Sequence, residues 1–447
     1  MRTLLLIAIL TISMLAASPI KAQQTLDALI GREINSLVET YKMLHAAPEL
    51  SHREEKTATF FASQLRALGF TVTERVGKFD RPEWLGYGVV AVMKNGDGPT
   101  VLLRTDLDGL PVVEKTELPY ASQVKTKNDA GQEVGVMHAC GHDVHITSMV
   151  GTARMLSMLK DQWRGTLVIV GQPAEETIDG ARSMLKDGFF NRFPKPDFAI
   201  ALHDSPDFAA GTIAVVPGYA LASSTNVDLK VRGIGGHGSK PESAKDPIVL
   251  AAQIVMSLQT IVSRENSPLD PAVITVGSIH GGTRYNIIPD EVNLQLTVRA
   301  YKEDVRQKLL AAIDRVAKGV ANTAGIPSEL APITKVSETE VTTATFNDPI
   351  LTERLSAVFA KALGQDNVVK GPPVMGSEDF GYFSMEQKIP AMMFWLGASD
   401  PVRVKEAKGG GKALPSLHSP LFAPVPEPTI RTGVKAMTSA VLELLKK

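Results

Sequence analysis

The chain has 447 residues, too many for one ordinary core, so two domains are the starting expectation. Its formal charge of −1 excludes a nucleic-acid binder of the usual kind, which needs a strong basic excess. No residue class dominates and no low-complexity block interrupts the chain, as in a soluble globular protein.

The first 22 residues have the layout of a signal peptide: Arg2, an apolar stretch from Leu4 to Ala17, and Ile20-Lys21-Ala22 ahead of a cut before Gln23. That stretch is too short for a membrane span, and no later stretch reads as long enough. The mature protein is therefore expected to be exported, periplasmic or secreted, with no membrane span. Export makes the single cysteine, Cys140, informative, because oxidising compartments usually recruit cysteines in pairs.

Residues 24–45 carry a helical pattern that stops ahead of Pro48, and a second amphipathic helix follows Ser51 and ends at Gly69. His45 and His52 flank the turn between them and read as structural or supporting residues. From Gly88 the period changes. Short apolar runs at 89–93 and 101–103 are separated by the turn cluster Asn95-Gly96-Asp97-Gly98-Pro99. The second run leads into Asp106 and Asp108, the run 167–170 into Glu175-Glu176, and the run 198–202 into His203. Helices at 144–160 and 180–187 alternate with these runs, which describes an α/β fold with a mainly parallel sheet buried on both faces. Ligands in such sheets gather beyond the carboxyl ends of the strands, the place all these side chains occupy.

Residues 138–145 read His-Ala-Cys-Gly-His-Asp-Val-His, a dense set of soft and borderline metal donors at the start of a helix. A free N-terminal turn there favours a thiolate. Near residue 223 the style shifts to half-polar strands at 226–231, 273–276 and 292–298, with helices from Asp246-Pro247 and over 303–323. This reads as a small α+β domain inserted into the larger one, whose buried-strand style returns at 391–396 and ends in a helix over 428–446. The predicted division is a signal peptide at 1–22, a catalytic domain at 23–222 and 336–447, and an inserted lid or dimerisation domain at 223–335.

Gly233-Ile-Gly-Gly-His-Gly238 spells the dinucleotide-binding pattern, but Lys240 and Pro241 follow where a helix is needed. The loop instead presents His237 on an open backbone. In Glu175-Glu176 one carboxylate can hold metal while its neighbour moves protons. Ser377-Glu378-Asp379-Phe380, just before the last strand, reads as support for metal-bound imidazoles. His418 follows the loop Gly409-Gly410-Gly411.

In His45-Ala-Ala-Pro-Glu-Leu-Ser51, Leu103-Arg-Thr-Asp-Leu-Asp-Gly-Leu-Pro111, Met137-His-Ala-Cys-Gly-His-Asp143, Gln172-Pro-Ala-Glu-Glu176, Gly235-Gly-His237, Asn286-Ile-Ile-Pro289, Ser377-Glu-Asp-Phe380 and His418, the chain resembles a family of metal-dependent amidohydrolases. That family includes hippurate hydrolase, plant indole-acetyl-amino-acid hydrolases and bacterial N-acyl-amino-acid deacylases, relatives of aminoacylase and carboxypeptidase G. The resemblance implies two divalent ions per subunit (zinc, manganese, cobalt or nickel) held by Cys140, His142, Glu176, His203 and His418, with Cys140 bridging. It implies Glu175 as general base and acid, and Asp108 orienting a ligand imidazole. His237 and Asn286 would contact substrate, His237 by reaching a partner subunit's site in a homodimer built through the inserted domain. His138, Asp143 and His145 match the motif without being implied as ligands. Thr105 and Gly109 depart from the family's usual alanines, and the Gly409–Gly411 loop is an extension. The implied activity is hydrolysis of a small N-acyl amino acid to a carboxylic acid and a free amino acid. A dipeptidase or carboxypeptidase is the alternative within the family, and a non-catalytic exported metal-binding protein the alternative outside it.

Overall fold

The computed structural model describes residues 25–385 and 387–447; the segment read as a signal peptide lies outside them. Helix α1 (Leu26–His45) begins where Thr25 Oγ1 accepts from the Ala28 N–H, and it buries Ile30, Ile34, Leu37, Tyr41 and Leu44 on one face. There follow α2 (Glu55–Ala67), β1 (Thr71–Lys78), β2 (Leu85–Asn95), β3 (Thr100–Asp106), α3 (His142–Met158), β4 (Gly165–Gln172), α4 (Gly180–Lys186), β5 (Phe198–Ala209) and β6 (Ile213–Val215). A second group comprises β7 (Ser223–Arg232), α5 (Pro247–Thr260), β8 (Ala272–Gly281), β9 (Glu291–Ala300), α6 (Glu303–Thr323) and β10 (Ile333–Thr342). The chain returns through α7 (Pro349–Leu363), β11 (Val368–Lys370), β12 (Ala391–Ser399) and α8 (Pro426–Leu444).

The large sheet has the order β1-β2-β4-β3-β5-β12-β6-β11. Its centre, β4-β3-β5-β12, is parallel, whereas β1 with β2, β2 with β4 and β12 with β6 pair antiparallel. Successive side chains alternate faces: Leu103, Ile169 and Ile200 pack under α1, α3 and α8, while Leu102, Val168 and Ala199 pack against Met184, Phe189 and Phe383. Burial on both faces explains why these strands read as continuous apolar runs.

The second sheet, β8-β9-β7-β10, is antiparallel throughout. Val227, Leu229, Val231, Leu294, Leu296 and Val298 face α5 and α6, and the alternate residues turn a polar face the other way. Helix α5 is started by Asp246, whose Oδ1 accepts from the Ile248 N–H at 2.8 Å, with Pro247 in the first turn. The boundary expected at residue 335 falls inside β10, whose pairing with β7 carries this sheet on to Thr342. Contrary to the reading that nothing after the leader is long enough for a span, one helix among the described residues, Pro247–Glu265, has that length and composition. Leu250, Ile254, Leu258 and Ile261 pack it onto the second sheet.

Candidate metal centre

The parallel strands deliver their carboxyl ends to one edge, and the donor side chains collect there. β3 ends at Asp106, β4 ends three residues before Glu175, and His203 lies in β5 opposite Trp395 of β12. α3 starts at His142, with Gly141 as its left-handed N-cap at φ +73° and Cys140 just ahead. A Cβ on Gly141 would lie 2.1 Å from Asp204 Oδ2, so the sharp turn that presents Cys140 needs glycine.

Cys140 Sγ lies 3.6 Å from His203 Nε2. His142 Nε2 is 3.9 Å from Glu176 Oε1 and 3.7 Å from Glu175 Oε2. His418 Nε2 is 3.5 Å from Glu176 Oε2. Donor atoms of Cys140, His142 and His203 fall within 4.8 Å of one another, as do those of Cys140, Glu176 and His418. His142 Nε2 and Glu176 Oε1 are buried with no hydrogen-bond partner among the described residues. Such orphaned atoms are costly unless something binds them, and sulfur, imidazole and carboxylate together suit a transition metal or zinc. The residues present fit a divalent cation.

The second layer of contacts aims these donors. His142 Nδ1 lies 2.8 Å from the Asp108 carbonyl oxygen and His203 Nδ1 lies 2.8 Å from the Asp204 carbonyl oxygen, so each ring turns Nε2 inward. The Asp108 carboxylate is 3.4 Å from His142; its Oδ2 accepts from Ser51 Oγ at 2.6 Å and from the Glu176 N–H at 3.0 Å. Asp108 therefore orients the imidazole mainly through its backbone, and its side chain holds the glutamate turn.

Negative charge dominates the cluster. Burial pushes the Cys140 thiol up, and Glu176 and Glu175 push it further, so the helix start does not by itself make a thiolate. Burial raises Glu176 to about 8, partly offset by His142. Burial and then Glu378, Glu176 and Asp379 hold Glu175 well above the usual carboxylate range. Burial opposes the His142 imidazolium, yet Asp106 and Asp108 hold its pKa well up. A bound cation relieves this accumulation of carboxylates. The cluster opens into a cavity of ≈ 810 Å³ with apolar walls from Phe208, Leu221, Val374 and Trp395. Ser224, Asn226 and Arg299 of the second sheet close its far side.

Residues 102–409 match the model of the peptidase family M20/M25/M40. The chain belongs to this family. It is 36% identical over 347 residues to the hippurate hydrolase of Campylobacter jejuni, covering 77% of this chain and 84% of that one. Thermostable carboxypeptidase 2 of Saccharolobus solfataricus is 34% identical over 414 residues, covering 92% of this chain and 96% of the relative. The crystal structure of the Bacillus subtilis YXEP protein, a dinuclear metal binding peptidase of the M20 family, superposes with a TM-score of 0.72 at 28% identity, covering 93% of this chain and 99% of the other. Membership makes the protein a metal-dependent amidohydrolase or peptidase, on the α/β fold that the sequence implied.

Of the residues singled out in the sequence, Cys140, His142, Glu175, Glu176, His203 and His418 meet in one place, and Asp108 stands behind them. His418 arrives in spite of the glycine loop, its N–H donating to the Ala139 carbonyl at 2.8 Å. His237 and Asn286 do not line the cavity. They sit side by side on the short pairing of Gly236–His237 with Ile287–Ile288, where the Gly238 N–H donates to the Asn286 carbonyl at 2.9 Å, and both are exposed. Glu378 and Asp379 do not support an imidazole; they close on Arg104 at 2.8 and 3.1 Å. Arg104 is the residue sequence reasoning passed over: fully buried on β3, it also meets Asp106 at 2.7 Å and Gln172 at 2.9 Å. His145 bridges Asp106 at 2.7 Å and the Asp204 N–H at 2.9 Å, a position its three-residue spacing from His142 on α3 could have signalled. His45 and His52 are structural, the first held by Asp143 at 2.6 Å and the second stacked on Trp84 at 3.7 Å.

Proposed function

We propose that the protein is an exported, dinuclear-metal amidohydrolase that splits N-acyl amino acids into a carboxylic acid and a free amino acid. The observation that carries this reading is Arg299. It reaches the metal-centre cavity from β9, half-buried, and donates only to the Met375 carbonyl and Ser377 Oγ, with no acidic partner among the described residues. An unpaired guanidinium beside apolar walls suits a substrate with a free carboxylate and an apolar acyl group. The likeness to a hippurate hydrolase supports the same substrate class.

Cys140, His142, Glu176, His203 and His418 would hold two divalent ions, whose chemistry is to polarise the amide carbonyl and acidify water. Glu175, whose pKa burial and the neighbouring carboxylates raise, is placed to accept the proton of the attacking water once bound cations favour its ionised form. It then delivers that proton to the departing amine nitrogen. Glu175→Gln, assayed with added zinc, manganese or cobalt on a panel of acyl amino acids and dipeptides, should keep its metal and lose most turnover. Retained turnover would remove Glu175 from this role. Preference for dipeptides over acyl amino acids would favour the carboxypeptidase reading, which the Saccharolobus relative supports.

A homodimer through the second sheet belongs to the same reading. Ile248, Val249 and Met256 of α5 are 46, 55 and 72% exposed, beside Ile279 at 56% on the edge strand β8. An apolar helix face next to an unpaired strand edge is a surface that a second copy can cover, and His237 lies outside its own chain's cavity. Sedimentation of a fully active monomer would refute it. Export rests on the composition of residues 1–22.

A further inference from the structure

The turn after β4 must aim two adjacent carboxylates, Glu175 and Glu176, into one cavity, and it does so with unusual backbone. Ala174 and Ile178 both have positive φ, +50° and +54°, where a Cβ is unfavourable. Such conformations persist only where their surroundings impose them. Part of that grip is internal: the Ile178 N–H donates to the Glu175 carbonyl at 2.7 Å, and the Gly180 N–H to the Ala174 carbonyl at 3.1 Å.

The rest comes from residues 51–54, more than a hundred positions away in sequence. Ser51 reaches the Glu176 N–H through Asp108, as described above, and His52 Nε2 lies 3.1 Å from Asp179 Oδ1. The most direct contact is Glu54. Its side chain is fully buried, and one carboxylate oxygen, Oε1, accepts from the His52 N–H at 2.9 Å and from the Ala174 N–H at 2.8 Å. His52 is itself a positive-φ residue at +66°. Glu54 is the N-cap residue of α2, yet its side chain makes no bond to that helix. A carboxylate at a helix start ordinarily serves its own N–H groups; this one is committed to two strained residues on two segments.

We propose that Glu54 is a positioning residue, whose carboxylate fixes the left-handed backbone at Ala174 and so sets the direction of Glu175 and Glu176. The proposal rests on the reading of Glu175 as proton carrier and Glu176 as metal ligand. It makes Glu54 act on turnover through backbone geometry, without touching substrate or metal.

The test uses the metal-loaded full-length enzyme with Glu54→Ala, Glu54→Gln and the double variant Glu54→Ala/Ala174→Gly. Glu54→Ala should lose about a hundredfold in kcat with KM little changed, the scale expected when reacting groups are misplaced by about 1 Å. Amide hydrogen exchange at Ala174 should accelerate in the same variant, with or without metal. Glu54→Gln keeps an acceptor oxygen and should retain most of the rate. Ala174→Gly in the Glu54→Ala background should recover about tenfold, because glycine takes positive φ without a Cβ penalty. Wild-type kcat in Glu54→Ala, or no recovery with glycine at 174, would overturn the proposal. Should Glu54→Ala not fold, Glu54→Asp, which retracts the oxygen by one methylene, carries the same comparison. An active Glu175→Gln would instead refute the proton-carrier reading, while Ala174 exchange would still report on Glu54.

Discussion

Replacing Arg104 with methionine separates a structural charge network from the metal centre it lies behind. The guanidinium is fully buried and meets Asp106, Glu378 and Asp379 at 2.7, 2.8 and 3.1 Å. Removing one partner of a buried ion pair typically costs ~3–5 kcal/mol, because the remaining charges stay out of water. Asp379 stands at about 8 through burial even beside Arg104, so at pH 7 it is mostly neutral already and adds little to the charge left unpaired. The expected loss is therefore near the low end, ~3 kcal/mol, or about a hundredfold in the folding equilibrium. The sign with pH follows. Arg104 lowers the pKa of both Asp106 and Asp379, so without it the folded state resists their ionisation more strongly, and the gap between Arg104→Met and wild type should be wider at pH 8 than at pH 5. Equilibrium urea unfolding at both pH values measures it. Equal midpoints, or a gap that widens toward acid, would refute this account of Arg104. The same substitution removes a charge that lowers the Glu175 pKa, so the acid limb of kcat/KM should move to higher pH.

Burial opposes the His45 imidazolium, but the hydrogen bonds it donates to Asp143 and Glu114 raise its pKa to about 10. Its contribution to stability should be full below about pH 6.5 and fade as pH rises toward 10, and a urea-midpoint profile of His45→Gln should lack that slope. Cys140→Ala should lower metal content, read by elemental analysis after dialysis, whereas an unchanged stoichiometry would make the thiol structural. Arg299→Ala should raise KM for acyl amino acids by about tenfold or more with a smaller change in kcat, as for loss of a charge-assisted hydrogen bond of roughly 1.5–3 kcal/mol. An unchanged KM would remove the guanidinium from substrate binding.

The donor set was legible because it depends on residue type and local order. Paired glutamates and a histidine that follow buried apolar runs, with a thiol and an imidazole at the start of the helix between those runs, can hardly be disposed otherwise once the strands are parallel. The strands were legible for the same reason, since burial on both faces leaves continuous apolar runs. What stayed hidden depends on long-range pairing. Nothing near Arg104 announces that the loop carrying Glu378 and Asp379, more than 270 residues on, will close over it. Nothing near Glu54 announces Ala174, because β4 reaches its place only after α3 has crossed the sheet between β3 and β4. His237 and Asn286 were recognisable as a pair, but their distance from the cavity follows from the placing of a second sheet with its own core. The end of that sheet at Thr342 was missed because β10 is an edge strand with exposed residues at most positions and little hydrophobic pattern.

The most direct measurement is anomalous diffraction from crystals of the full-length protein grown with manganese or zinc. Two anomalous peaks should lie among Cys140, His142, Glu176, His203 and His418, with ligand distances of about 2.0–2.3 Å if the ion is zinc. Peaks located elsewhere, or none at this strand edge with metal in excess, would contradict the account.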